Sequence, residues 1–156
     1  DELIQILKKT GIEIDVGEHW VRVTNFHRRI KGVNVKTEPY PGFPTDMQPI
    51  LMAYLALLDK HKSIIIETIF ENRFMHVMEL NRMGANIMVE GRRALIEGVE
   101  QFSAANVKMM DLRGGAALLI AALAAEGHTV LYNVEHIFRG YEDVIEKFIS
   151  LGANIV

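Results

Sequence analysis

Three stretches of the chain share one pattern of apolar and polar positions. They are ELIQILKKTGIEIDVGEHWVRV at 2–23, HVMELNRMGANIMVEGRRALIEGV at 76–99 and YEDVIEKFISLGANIV at 141–156. Each opens with apolar residues at helical spacing, reaches a Gly suited to the left-handed turn that ends a helix, and changes to strand-like alternation. In the first two, a second alternating run follows across a short turn, VGEH or EGRR, which predicts a hairpin. Two longer, more apolar helices are predicted at 46–59 and 112–126, each followed by a strand, SIIIET or HTVLYNV. Asn34-Val35-Lys36 and Asn106-Val107-Lys108 predict the first strand of two units.

The second and third copies match at a spacing of 68, Gly84-Ala85-Asn86-Ile87 against Gly152-Ala153-Asn154-Ile155, and Phe70 against Phe138. The expected fold class is therefore α/β (α+β), built from repeated βαβαββ units that need neighbours to bury their apolar faces. On this reading residues 1–156 form part of one lobe: 1–32 are the tail of one unit, 33–99 a complete unit, and 105–156 a unit lacking its last strand.

Composition narrows the function. Of 156 residues, 49% are hydrophobic, which is ample for a core, and the net charge of −3 comes with no basic block, which argues against nucleic acid. There is no cysteine, hence no disulfide frame, thiol nucleophile or thiolate metal site. The six histidines show no ligand spacing, so no metal is expected, and the common nucleotide-binding glycine motifs are absent. No run of eighteen apolar residues suggests a membrane span, and a cytoplasmic protein is the expectation. The chain begins inside a helical pattern without an initiator Met and stops inside a strand-like one, as a piece of a longer chain would. Met75, Met78, Met83, Met109 and Met110 read as core or gap filling.

The candidate chemistry lies at predicted helix starts. Arg73, Arg113 and Arg139 sit at or next to the N-termini of predicted helices 73–83, 112–126 and 141–151. A helix N-terminus already carries partial positive charge, so three cations there suggest that something negative lies among them. The competing reading pairs each with a neighbouring acid: Glu71 with Arg73, Asp111 with Arg113, Glu142 or Asp143 with Arg139. Asp46 and its counterpart Asp111 both open a helix, and N-capping accounts for both. Capping leaves Asp46 free for a second role through its other oxygen. The loop 37–46, TEPYPGFPTD, holds three of the four prolines. It is either a stiff ligand-holding entry to the next helix or an ordinary connector.

PGFPTDMQ (41–48), ETIFENRFMHVMELNRMGA (67–85), DLRGGAAL (111–118), AAEGHTVLYNVEHIFRGYED (124–143) and LGANI (151–155) together closely resemble the UDP-N-acetylglucosamine 1-carboxyvinyltransferase family of enolpyruvyl transferases. The resemblance runs in order over 37–156 and more loosely over 1–36. It implies two similar lobes, each an inside-out α/β barrel of three βαβαββ units with helices buried at the centre. It implies transfer of enolpyruvyl from phosphoenolpyruvate to the 3′-hydroxyl of UDP-N-acetylglucosamine, the first step of peptidoglycan synthesis, with no metal or organic cofactor. By motif, Asp46 resembles the carboxylate that contacts the sugar hydroxyl and accepts its proton. Ile69 and Phe70 resemble the backbone and wall that position the amino sugar. Arg139 resembles an arginine holding phosphoenolpyruvate, and Arg73 and Arg113 resemble arginines lining the interlobe cleft. The resemblance also implies that the other lobe supplies a lysine, an arginine, most uridine contacts and a loop cysteine or aspartate, so the chain alone is expected to be inactive.

Two departures from the family pattern stand out. DLRGGAA has glycines where the family usually shows small polar or alanine residues, and LLDKHKS replaces a turn that more commonly ends in Gly. Two rival readings remain: a shikimate-phosphate-type enolpyruvyl transferase lobe, and a non-catalytic repeat module that binds a protein partner, or a second copy, through an open strand edge.

Overall fold

The computed structural model describes residues 2–25 and 30–156. Residues 26–29 of the expected first-unit tail, and Asp1, lie outside the described residues. The chain opens with helix α1 (Glu2–Lys9) and the antiparallel hairpin β1 (Glu13–Val16) and β2 (Val21–Asn25). Next come β3 (Asn34–Lys36), a single 3-10 turn (Thr45–Met47), α2 (Gln48–Leu55), β4 (Lys62–Ile66), α3 (His76–Arg82), β5 (Asn86–Glu90) and β6 (Arg93–Glu97). The order then restarts with β7 (Asn106–Lys108), α4 (Leu112–Ala124), β8 (Val130–Tyr132), α5 (Glu135–Phe138) and α6 (Val144–Ser150).

The middle sheet has the order β3-β4-β6-β5. β3 runs parallel to β4, with Val35 opposite Ile65, and the other pairs are antiparallel. β7 and β8 repeat the parallel pairing, with Val107 opposite Leu131. The two apolar helices α2 and α4 pack against each other. Leu51, Met52, Ala53 and Leu55 of α2 and Ala117, Leu118 and Ala121 of α4 are buried. A helix apolar on every side is stable only when surrounded, so the sheets lie outside these helices. Their inward residues, Val35, Ile65, Ile87, Ala94, Ile96 and Val107, join the same core. The three glycines expected to end helices, Gly11, Gly84 and Gly152, have φ of 102°, 92° and 98°.

Some expectations change. The helix expected at 46–59 is shorter, because 45–47 winds as a 3-10 turn and the helix ends at Leu55. The helices expected at 73–83 and 141–151 begin at His76 and Val144, and the short α5 was not anticipated. Residues 152–156 form no strand although their sequence alternates. A strand needs a hydrogen-bonded neighbour, and no described strand pairs with this segment, although Ile155 packs against the core. Met83 and Met109 are fully buried, but Met75, Met78 and Met110 are about half exposed. Local apolarity did not distinguish these two sets.

Candidate functional site

Asp46 and two of the three arginines meet. Asp46 Oδ1 accepts a hydrogen bond from Arg73 Nη2 at 2.8 Å, and Oδ2 accepts one from Arg113 Nη2 at 2.9 Å. For two of the three cations the negative charge is therefore Asp46 itself, 27 and 67 residues from its partners. Charge-assisted bonds of this length are the strong ones. One carboxylate against two guanidiniums leaves a net positive cluster, in which Arg73 Nε is buried without a hydrogen-bond partner among the described residues.

The neighbour-pairing alternative fails for the described residues. Glu71 lies near Arg92, and Glu142 near Lys147. Asp111 receives the backbone N–H groups of Arg113 and Gly114 at 2.9 and 2.8 Å, so it caps α4 as expected. Asp46 caps nothing: Pro44 and Met47 occupy the cap positions of the 3-10 turn and of α2, and neither makes a side-chain cap bond. The 3-10 turn places Asp46 inside a helical segment instead of before it, and its carboxylate points away from the backbone N–H groups toward the arginines. Of the three arginines, Arg113 alone lies in the first turn of a helix. Arg73 lies three residues before α3, and Arg139 forms the C-terminal cap of α5.

Arg73 and Arg113 are each stacked on an aromatic ring. Arg73 lies 5.1 Å from the centre of the Phe70 ring, and Arg113 lies 5.4 Å from that of Tyr141. Arg113 Nη1 also donates to the Tyr141 hydroxyl at 2.9 Å, and this bond, then that to Asp46, holds the guanidinium pKa above its usual value. Tyr141 carries the cluster toward Arg139, because both line an open cavity of about 640 Å³ with Phe138, Glu142 and Asp143. Arg139 itself is exposed and has no ion-pair partner among the described residues. Ile69 and Phe70 are part exposed beside Arg73.

Two residues escaped sequence reasoning. His76 is 1% exposed, and neither ring nitrogen has a hydrogen-bond partner among the described residues. Burial lowers its pKa to about 4, with the nearby Asp111 raising it and Arg73 lowering it less. Glu67 is likewise 1% exposed. Its Oε1 accepts from Thr37 Oγ1 and the backbone N–H groups of Ile69 and Phe70, and its Oε2 accepts from Thr45 Oγ1. The only available signal was a charged residue closing an apolar strand, SIIIE, where a solvated side chain is usual.

A repeated α/β scaffold with buried central helices and a carboxylate held between two arginines is that of an enolpyruvyl transferase-like fold. The chain belongs to the EPSP synthase (3-phosphoshikimate 1-carboxyvinyltransferase) family, whose sequence profile matches residues 1–148. Its relatives are more specific. The UDP-N-acetylglucosamine 1-carboxyvinyltransferase of Thermotoga petrophila is 52% identical over 149 residues, covering 96% of this chain and 35% of the relative. The corresponding enzyme 1 of Clostridium perfringens is 51% identical over 156 residues, 98% of this chain and 37% of the relative. The crystal structure of the enolpyruvyl transferase NikO from Streptomyces tendae superposes with a TM-score of 0.89 at 29% identity, over 98% of this chain and 35% of that one. The chain thus spans about a third of the length of the relatives it matches.

Proposed function

We propose that this chain is part of an enzyme that moves the enolpyruvyl group of phosphoenolpyruvate onto the 3′-hydroxyl of UDP-N-acetylglucosamine and releases phosphate. The observation that carries this reading is the double engagement of Asp46 by Arg73 and Arg113. An exposed carboxylate held between two cations is positioned to meet a sugar hydroxyl while the cations meet an anionic substrate. The relatives' names supply the particular sugar nucleotide.

In this reading Asp46 accepts the proton of the 3′-hydroxyl. Each of its oxygens accepts one charge-assisted bond and keeps a lone pair for the sugar hydroxyl, so the arginines hold the carboxylate in place without blocking it. An arriving anion that takes up Arg73 or Arg113 leaves the carboxylate freer to accept that proton. The Ile69 backbone and the Phe70 ring border the sugar, and Arg139 holds phosphoenolpyruvate from the cavity it shares with Tyr141. The contribution of this chain is positioning and charge stabilisation, with no metal or organic cofactor in the proposed step. In this reading the protein acts in cell-wall synthesis, in the cytoplasm. We also propose the unit division stated above: 1–32, 33–99 and 105–156.

The test is an NMR titration of this chain with UDP-N-acetylglucosamine and then phosphoenolpyruvate. Shifts clustered at Asp46, Ile69, Arg73 and Arg139 are expected. Shifts confined to other surfaces would overturn the assignment of the site.

A second reading rests on β8. It pairs with β7 along one edge, while Val130 and Tyr132 are close to half exposed. An edge of this kind accepts a strand from a second copy. Concentration-dependent mass in light scattering is expected, and a strict monomer up to millimolar concentration would count against it.

A further inference from the structure

Three segments of the candidate site come from different parts of the chain: the loop leaving β3, the 3-10 turn with Asp46, and the loop 67–75 with Ile69, Phe70 and Arg73. Each is tied to one buried carboxylate. We propose that Glu67 is a positioning residue that sets the Asp46 carboxylate in register with the Ile69–Arg73 loop. Its consequence for substrate rests on the function proposed above.

The geometry divides the work between the two oxygens. Glu67 Oε1 holds the loop side, accepting from Ile69 N at 2.8 Å and Phe70 N at 3.1 Å. Oε2 holds the Asp46 side, accepting from Thr45 Oγ1 at 2.9 Å. Thr45 immediately precedes Asp46. Thr37 joins the two, donating to Oε1 at 2.9 Å while its hydroxyl accepts the Thr68 N–H at 2.9 Å. The Thr68 hydroxyl in turn donates to the Thr37 carbonyl. The Glu67 N–H donates to the Arg92 carbonyl at 2.9 Å, which anchors the hub to the turn leading into β6. The loop leaving β3 is closed on itself by Glu38 N to Phe43 O at 2.9 Å, so Thr45 hangs from a stiff segment.

Four donors converge on two acceptor oxygens at a site closed to water. Such a network is rigid when complete, because each lost bond leaves a buried group unsatisfied. The Asp46–Arg73 pair closes the outer side of the same ring of residues. Glu67 therefore reaches both ends of that ion pair through the backbone and touches neither. Glutamine at 67 keeps the Oε1 bonds, and its amide N–H₂ meets Thr45 Oγ1, which turns to accept. Alanine at 67 removes both arms. Valine at 45 removes only the arm to Asp46.

The experiment uses this chain, labelled with ¹³C and ¹⁵N, as wild type, E67A, E67Q and T45V. The readouts are the Asp46 carboxylate carbon, the Arg73 guanidinium nitrogens and the exchange rates of the Ile69 and Phe70 amides. In E67A the two amides are expected to exchange roughly tenfold faster or more, and the Asp46 and Arg73 signals to move together. T45V is expected to move Asp46 and Arg73 while leaving the Ile69 and Phe70 amides protected, and E67Q to restore all of them. Unmoved Asp46 and Arg73 signals in folded E67A would overturn the proposal. If E67A does not fold, unmoved signals in T45V overturn it. Adding UDP-N-acetylglucosamine separates the two claims. The ligand-induced shifts are expected to be lost in E67A and kept in E67Q. A wild type that ignores the ligand would mean that the sugar nucleotide needs the other lobe, while the ligand-free comparison still decides the role of Glu67.

Discussion

His76 shows what burial does to a single titratable residue. It faces Asp111, Arg73 and the backbone of Gly114, and burial keeps it neutral down to about pH 4. The unfolded chain takes up that proton near pH 6.5, so between these values the unfolded state binds more protons. Stability contributed by neutral His76 is complete above pH 6.5 and falls as pH drops toward 4, by an amount on the order of 3 kcal/mol. His76→Phe is expected to flatten this limb relative to wild type, measured as urea midpoints at pH 7 and pH 5. Asp46 contrasts with His76 in burial. It is half exposed, and exposed ion pairs contribute at most about 1 kcal/mol each. Asp46→Asn is therefore expected to move the urea midpoint little and to abolish the NMR response to UDP-N-acetylglucosamine. Nothing in the residue types separated Asp46 from Asp111. Both stand at predicted helix starts, and only the 3-10 turn at 45–47 turns the Asp46 carboxylate to the arginines while Asp111 caps its helix.

At the scale of elements, the two departures from the family pattern have physical accounts. The turn after α2 ends in Lys60, which holds φ at 61° where glycine is usual. A side chain in that conformation costs roughly 1–2 kcal/mol, so Lys60→Gly is expected to raise stability by about 1 kcal/mol in thermal unfolding. The glycines of α4 do not break the helix, which is regular from Leu112 to Ala124. They let other elements approach. A Cβ at Gly115 would lie 2.8 Å from Ile137 Cγ2 and 3.1 Å from Met109 Sδ, and one at Gly114 would lie 3.1 Å from His76 Cβ. Gly115→Ala adds a better helix former but overpacks this junction. A net loss of about 1–2 kcal/mol is expected in urea denaturation. Helix-ending glycines and hairpin turns were legible because their cause is local backbone geometry. The absent strand at 152–156 and the short α5 were not legible, because pairing and docking partners decide them.

For the whole molecule, the repeat pattern was enough to anticipate the βαβαββ order of 34–97 and the burial of α2 and α4, since apolar helices between alternating strands have few ways to pack. The site was legible in part. Its arginines and Asp46 stood out as types in motifs, but their mutual contacts are long-range, and Glu67 and Tyr141 acquire their roles only through them. The chain spans about a third of its relatives, and an assay for enolpyruvyl product with this chain alone is expected to give none. Product from the purified chain would show that the residues present suffice.

The wide separation of the clamp residues along the chain has a kinetic consequence. Asp46 finds Arg73 only after 27 residues are folded back, and Arg113 only after 67. Closing such loops costs chain entropy before any contact repays it, so contacts of this range tend to form late. During synthesis the turn bearing Asp46 leaves the ribosome with neither arginine present, and it has both only once α4 has emerged and docked on α2. Assembly of the clamp is thus a timer for completion of this part of the chain: a molecule in which Asp46 is paired on both sides has already packed its two central helices.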